Sequence, residues 1–180
     1  MPDVGELSGR PMTGLTAATR AATYSMKVEA QKQGFIKGDI AKTWKGAADE
    51  IELMGWQQSV VNPRDSHTGL PTGRRIHHQV EVVGKLCKAC PLLFTASITN
   101  ETLKKVTINS WSQAKAGAGA TVAIYYTVEL ENAQIAEFQH VTHELDGALF
   151  FRMAMTFLKI TYTWKEGGLT GSDTWELTVT

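Results

Sequence analysis

The chain has 180 residues, a single-domain length that can bury a substantial core without disulfides or metals. Its 18 Lys and Arg balance 18 Asp and Glu. No global basic field exists to recruit nucleic acid or an anionic membrane, and little charge opposes self-association. No apolar run approaches the ~20 residues of a membrane helix, and the first twenty residues lack the apolar centre of a signal peptide. The expectation is a protein with no nucleic-acid partner and no membrane insertion, which would leave a cell by some other route.

Residues 1–22, rich in Gly, Thr, Ala and Pro and without periodicity, read as a flexible N-terminal extension. A first strand is expected over Tyr24–Ala30, a second over Glu50–Val61 with Ile51, Leu53, Trp56, Val60 and Val61. Asn62–Arg75 reads as a loop, with two Pro, two Gly, three Arg and no apolar rhythm. Ile76–Val83 is a strand. Pro91 suits a first helical position, Leu92, Leu93, Phe94 and Ala96 make an apolar stripe, and Asn100 can end the helix. Leu103–Trp111 is a strand with Val106 and Ile108 inward, 114–120 a Gly/Ala loop. Val122 to Leu130 gives the clearest alternation.

The last 33 residues carry the strongest pattern. Leu149, Phe151, Met153, Met155 and Phe157 alternate with other residues, and then the phase flips to Leu158, Ile160, Tyr162 and Trp164. Side chains alternate across a strand, so the flip requires a bulge or a strand that buries first one face and then the other. Gly167-Gly168 turns the chain. Trp175, Leu177 and Val179 then form a short returning set, with Trp164 and Trp175 expected to be buried in the core or against a neighbour. Many strands, turn-rich connections and one helix imply a barrel or sandwich.

Few residues suggest chemistry. Cys87-Lys88-Ala89-Cys90 is a CxxC before a Pro-started helix, where a thiolate is favoured. The βαβ context of a thioredoxin-like motif is missing, however, and a zinc site needs four ligands. His77 and His78 adjoin, but consecutive strand residues face opposite ways, so one at most could join the cysteines. They read as small, partly buried side chains. His140 and His143 have metal spacing only on a helix, and a solvated turn at a strand end suits them better. No Ser-His-Asp, GxSxG, P-loop or HExxH pattern occurs. Gly117-Ala118-Gly119 reads as a hairpin tip. Expectations are no enzyme activity, no cofactor and no metal. The 14 residues of 62–75 are the best functional candidate, since long structureless loops in compact domains tend to be functional or disordered. Arginines there are suited to interfaces.

Three segments in the correct order resemble the haemolysin-coregulated protein (Hcp) family, the tube proteins of the bacterial type VI secretion system. They are LKITYTWKEGGLTGSDTW (Leu158–Trp175), SHTGLPTGRRIHHQVEV (Ser66–Val82) and YTVELENAQIAEF (Tyr126–Phe138). The likeness covers roughly Tyr24 to the C-terminus. It implies a mainly β fold, a small split β-barrel over 23–180 with one short α-helix and an extended loop. It also implies a structural subunit of hexameric rings that stack into a tube, expelled by a contractile sheath and carrying small effector proteins in its lumen. Implied partners are further copies of the chain and the sheath, spike and baseplate proteins. The implied location is the bacterial cytoplasm, followed by secretion to the medium or a target cell.

In that family the extended loop reaches a neighbouring subunit, which nominates Pro63, Arg64, His67, Gly69, Leu70, Pro71, Thr72, Gly73, Arg74 and Arg75 as interface residues. One departure stands out. Where the family has a D-K-x-[ST]-P helix start, this chain has Cys87 and Cys90, and cysteine is a poor cap. Two other readings stay open: a phage-type tail tube protein, and a CxxC redox or zinc-binding protein.

Overall fold

The computed structural model describes residues 22–40, 47–112, 123–142 and 149–175. Most of the extension expected over 1–22, the loop at 114–120, His143, Leu177 and Val179 lie outside them.

The barrel strands are β1 (Ala22–Ala30), β3 (Ile51–Gln57), β6 (Val80–Lys85), β7 (Leu103–Ser112), β8 (Ala123–Thr142) and β9 (Leu149–Thr156). They hydrogen-bond antiparallel in the order β8-β7-β1-β3-β6-β9, and β9 returns to β8, closing a six-stranded barrel. Alternation dictates what fills it. Met26 and Val28 of β1, Val106 and Ile108 of β7, Val128 and Leu130 of β8, and Phe151, Met153 and Met155 of β9 are all fully buried. The short β2 (Gly34–Ile36), which the sequence reading missed, folds back on β1 and inserts Ile36 into the core.

The single helix of the described residues, α1 (Cys90–Ile98), packs Leu93 and Ala96 against the barrel, with Pro91 in its first turn as expected. Leu92 and Phe94 are exposed, so the buried stripe is narrower than the sequence suggested. Asn100 ends the helix in a left-handed conformation at φ 50°, and the buried Glu101 then caps the β1–β2 turn. Its carboxylate accepts from the backbone N–H of Lys32 at 2.5 Å and of Gln33 at 3.0 Å. The Gln33 side chain adds a further bond at 2.9 Å, and these bonds hold the carboxyl below its ordinary range.

Two expected strands break in two. Glu50–Val61 becomes β3 and β4 (Val60–Val61), and Ile76–Val83 becomes β5 (Ile76–His77) and β6. The outer pieces leave the barrel and pair with each other, Val60 with His77 and Val61 with Ile76. Valine and isoleucine suit a strand wherever it lies, so periodicity could not reveal the change of partner.

The phase flip at Phe157-Leu158 is a strand break, and its cause lies in β8. Over Tyr126–Glu131 one edge of β8 pairs with β10 (Lys159–Trp164), whereas over Gln134–Thr142 it pairs with β9. Between these stretches Asn132 adopts φ 50°, and the buried set of β8 shifts from Val128 and Leu130 to Ala133 and Ile135. β9 belongs to the barrel, while β10 leaves it and carries β11 (Leu169–Thr174) on its outer edge.

The returning strand was misplaced in the sequence reading. Trp164 pairs with Leu169 and Lys159 with Thr174, so β11 ends where an apolar set beginning at Trp175 was expected to start. The Gly167-Gly168 turn is as expected, with Gly168 at φ 63°.

Candidate subunit interface

The segment 62–75 is a hydrogen-bonded ribbon rather than a structureless loop. Arg64 bridges Pro71, Thr72 donates its backbone N–H to the Pro63 carbonyl at 3.0 Å, and Asp65 donates to the Leu70 carbonyl at 2.9 Å. At the tip the Asp65 carboxylate accepts from the backbone of His67 at 2.9 Å and of Thr68 at 2.8 Å, and from the Thr68 hydroxyl at 3.0 Å. These three bonds hold its carboxyl below the usual range. Gly69 turns the chain at φ 69°, a conformation that favours glycine. Its carbonyl accepts from Arg64 Nη1 at 3.0 Å. The expected interface residues Pro63, Arg64, His67, Gly69, Leu70, Pro71 and Thr72 are thus brought into one ribbon. Its tip and returning arm are open to solvent, Leu70 being 64% exposed.

Gly73 and Arg74 are exposed on the way back to the barrel. Arg75 differs. Its guanidinium makes a bidentate pair with the carboxylate of Asp173 on β11 of the same chain. The arginine expected at the interface makes this ion pair within the subunit, where β5 emerges beside β11.

His77 completes the anchorage. It is buried, and its Nε2 lies 2.8 Å from Asp173 Oδ2. Its ring packs edge-on to Phe157 and against Trp175. On the other side Gln58 approaches Nδ1 at 3.5 Å and accepts from the Tyr162 hydroxyl at 2.5 Å. Burial tends to raise the Asp173 carboxyl, but the hydrogen bonds from Arg75 and His77 outweigh it, and the carboxyl sits below its ordinary value. The sequence reading missed Asp173, Gln58 and Tyr162. Asp173 is 98 residues from Arg75, and the only available signal was one acid in an otherwise uncharged returning strand.

Other candidates do not converge. His77 faces Asp173, not the cysteines, and His140 is exposed near the end of β8 against Phe138. Among the described residues no group of three or more His, Cys, Asp or Glu is arranged to hold a metal ion, and no helix is long and apolar enough to cross a membrane.

The β10–β11 hairpin forms the second part of the site. β11 pairs only with β10, so its outer edge presents unpaired backbone groups among the described residues. Leu169 is 70% exposed, and Trp164 and Trp175 are each 41% exposed. Neither tryptophan is a core residue of the single chain, which corrects one of the two places expected for them. Trp175 covers His77 and Phe157, while Trp164 packs beside Tyr125 and Tyr126.

The chain thus joins a barrel to an exposed edge hairpin and an exposed, hydrogen-bonded ribbon. Residues 26–164 match the family described as type VI secretion system effector, Hcp. The chain belongs to the Hcp family. The "Major exported protein" of Pseudomonas aeruginosa is 33% identical over 163 residues, 83% of this chain and 93% of that protein. Among solved structures, the Hcp1 protein of E. coli EAEC 042 aligns with a TM-score of 0.75 at 25% identity, covering 86% of this chain and 99% of that one. The secreted protein Hcp3 of P. aeruginosa aligns with a TM-score of 0.68 at 28% identity, covering 87% and 100%. The chain is therefore an Hcp-type tube protein of type VI secretion, and the mainly β fold with one short helix agrees with that assignment.

Proposed function

We propose that this protein is the structural subunit of the inner tube of a type VI secretion system. Subunits close into hexameric rings, the rings stack head-to-tail, and a contractile sheath expels the tube with small effector proteins in its lumen. The observation that carries the reading is membership of the Hcp family across residues 26–164, on a barrel whose sheet ends in an exposed edge strand. A lone edge invites pairing with another chain. A heterologous contact of this kind closes a ring when its rotation closes, and a separate contact between the faces of successive rings repeats along the axis to give a tube.

The ribbon of residues 62–75 is the stacking element in this reading. Its backbone is held by its own hydrogen bonds and its residues from Ser66 to Arg74 are exposed to solvent. Little conformational entropy remains to be lost when it docks. Pro63, Arg64, His67, Gly69, Leu70, Pro71, Thr72, Gly73 and Arg74 are the residues offered to the adjacent subunit, and Arg75 sets the pose of the ribbon. Spike and baseplate proteins are the further partners, and the protein acts in the bacterial cytoplasm before it is exported.

Negative-stain microscopy with native mass spectrometry of the purified protein tests the reading. Rings of six subunits are expected. A strictly monomeric species at high concentration would refute it.

A further inference from the structure

Cys87 and Cys90 read in the sequence as small side chains with nothing to react with. The structure places their sulfur atoms 3.8 Å apart. One turn brings them together. The Cys90 backbone N–H donates to the Cys87 carbonyl at 3.0 Å, and the Cys87 N–H points at Cys90 Sγ at 3.4 Å. Access is unequal, Cys87 being half-buried and Cys90 only 2% exposed. A disulfide needs the sulfurs at about 2.05 Å, so closure requires only a local adjustment. α1 begins at Cys90 and has no side-chain cap, so no capping bond is lost in that adjustment.

We propose that Cys87 and Cys90 form a covalent modification site, a dithiol that closes to an intramolecular disulfide on meeting a small-molecule disulfide. Cys90 first loses its proton to solvent, and as Cys87, the accessible sulfur, attacks one sulfur of the oxidant RSSR, its own proton passes along the 3.8 Å contact to the Cys90 thiolate. One RS⁻ leaves and takes up a proton. Cys90 then loses its proton to solvent and attacks the Cys87 sulfur of the mixed disulfide, expelling the second RS⁻, which is protonated in turn. Two protein thiols and RSSR become one protein disulfide and two RSH, so the small disulfide is the two-electron oxidant. Access, not acidity, sets the order of events, since Cys87 is the sulfur an oxidant can reach. The hydrogen bond from Cys87 lowers the Cys90 thiol to about 7, and the same bond pushes the Cys87 thiol up. Negative charge therefore favours the buried sulfur, which resolves the adduct from within. The site asks nothing of a third ligand, and it is independent of the tube reading.

The test uses the reduced full chain, incubated folded with oxidised glutathione and followed by intact mass and thiol titration. The chain should lose two hydrogens and both thiols, release two reduced glutathiones, and carry no adduct. Cys90→Ser, which removes the resolving sulfur, should trap one glutathione on Cys87. A wild-type chain that keeps two free thiols, or accumulates stable glutathione adducts, would overturn the proposal. Both results are read on the dispersed protein, so neither depends on whether rings form.

Discussion

Asp173 carries the junction between ribbon and hairpin with one carboxylate. Arg75 donates to it twice, and His77 meets it from the buried side. Its pKa in the folded chain lies below the ordinary value, which for an unfolded Asp is about 3.9. The stabilisation is therefore present above about pH 4 and is lost as pH falls through the lower folded pKa. Asp173→Asn should cost about 1 kcal/mol at neutral pH, because the pair is partly solvated. The variant should also lose part of the acid dependence of the wild type, compared as thermal midpoints between neutral and strongly acidic buffers. Parallel acid limbs for the two proteins would contradict this role. Glu101 is a more buried case. Glu101→Ala strips the Lys32 and Gln33 amides of their acceptor, and leaving such groups unpaired costs about 1–3 kcal/mol. Urea unfolding should show that loss, and an unchanged midpoint would refute it.

At the scale of elements, β8 decides the architecture. Its 20 residues exceed the length that any one partner strand covers. The left-handed turn at Asn132 divides it into a stretch that holds the hairpin and a stretch that closes the barrel. Elsewhere the barrel wall is tight. A Cβ on Gly84 would lie 2.6 Å from the Phe151 ring and 2.8 Å from the Glu52 carbonyl, so a side chain there forces neighbours apart. The ribbon contrasts with both, since it takes no part in the barrel sheet. Deleting Leu70–Gly73 should change stability by no more than about 1 kcal/mol, since shortening a surface loop alters closure entropy only slightly. The same deletion should weaken ring stacking in microscopy. An unfolded product, or tubes formed as before, would remove the ribbon from the proposed interface.

For the whole molecule, the edge where the sheet ends carries three large exposed apolar residues, Trp164, Leu169 and Trp175. Trp164 and Leu169 lie opposite each other at the hairpin turn, Leu169 largely and Trp164 partly exposed to solvent in the single chain. Burying a side chain of this size contributes about 1.5–3 kcal/mol. Trp164→Ala should therefore shift native mass spectra from rings toward monomers while leaving the thermal midpoint of the monomer within about 1 kcal/mol of its original stability. Equal loss of monomer stability would place Trp164 in the fold rather than at a subunit contact.

The sequence by itself determined the β class, a helix with Pro91 in its first turn, and the inward Val106 and Ile108 of β7 and Phe151, Met153 and Met155 of β9. Local alternation and turn chemistry specify these before any partner is chosen. Its ordered motifs also pointed to the family. It showed that 62–75 has no core rhythm and that the chain changes phase at Phe157-Leu158. Only the tertiary structure decided which strands pair. Val60-Val61 and Ile76-His77 leave the barrel, Arg75 pairs with Asp173, and Cys87 meets Cys90 across a turn. Strand pairing and ion pairing join residues far apart in the chain, and their energies depend on burial and geometry that exist only once the barrel has closed. For the same reason β11 could not be placed from its pattern. As an edge strand with a single partner, its register is set by the Gly167-Gly168 turn and by β10, not by an apolar face of its own.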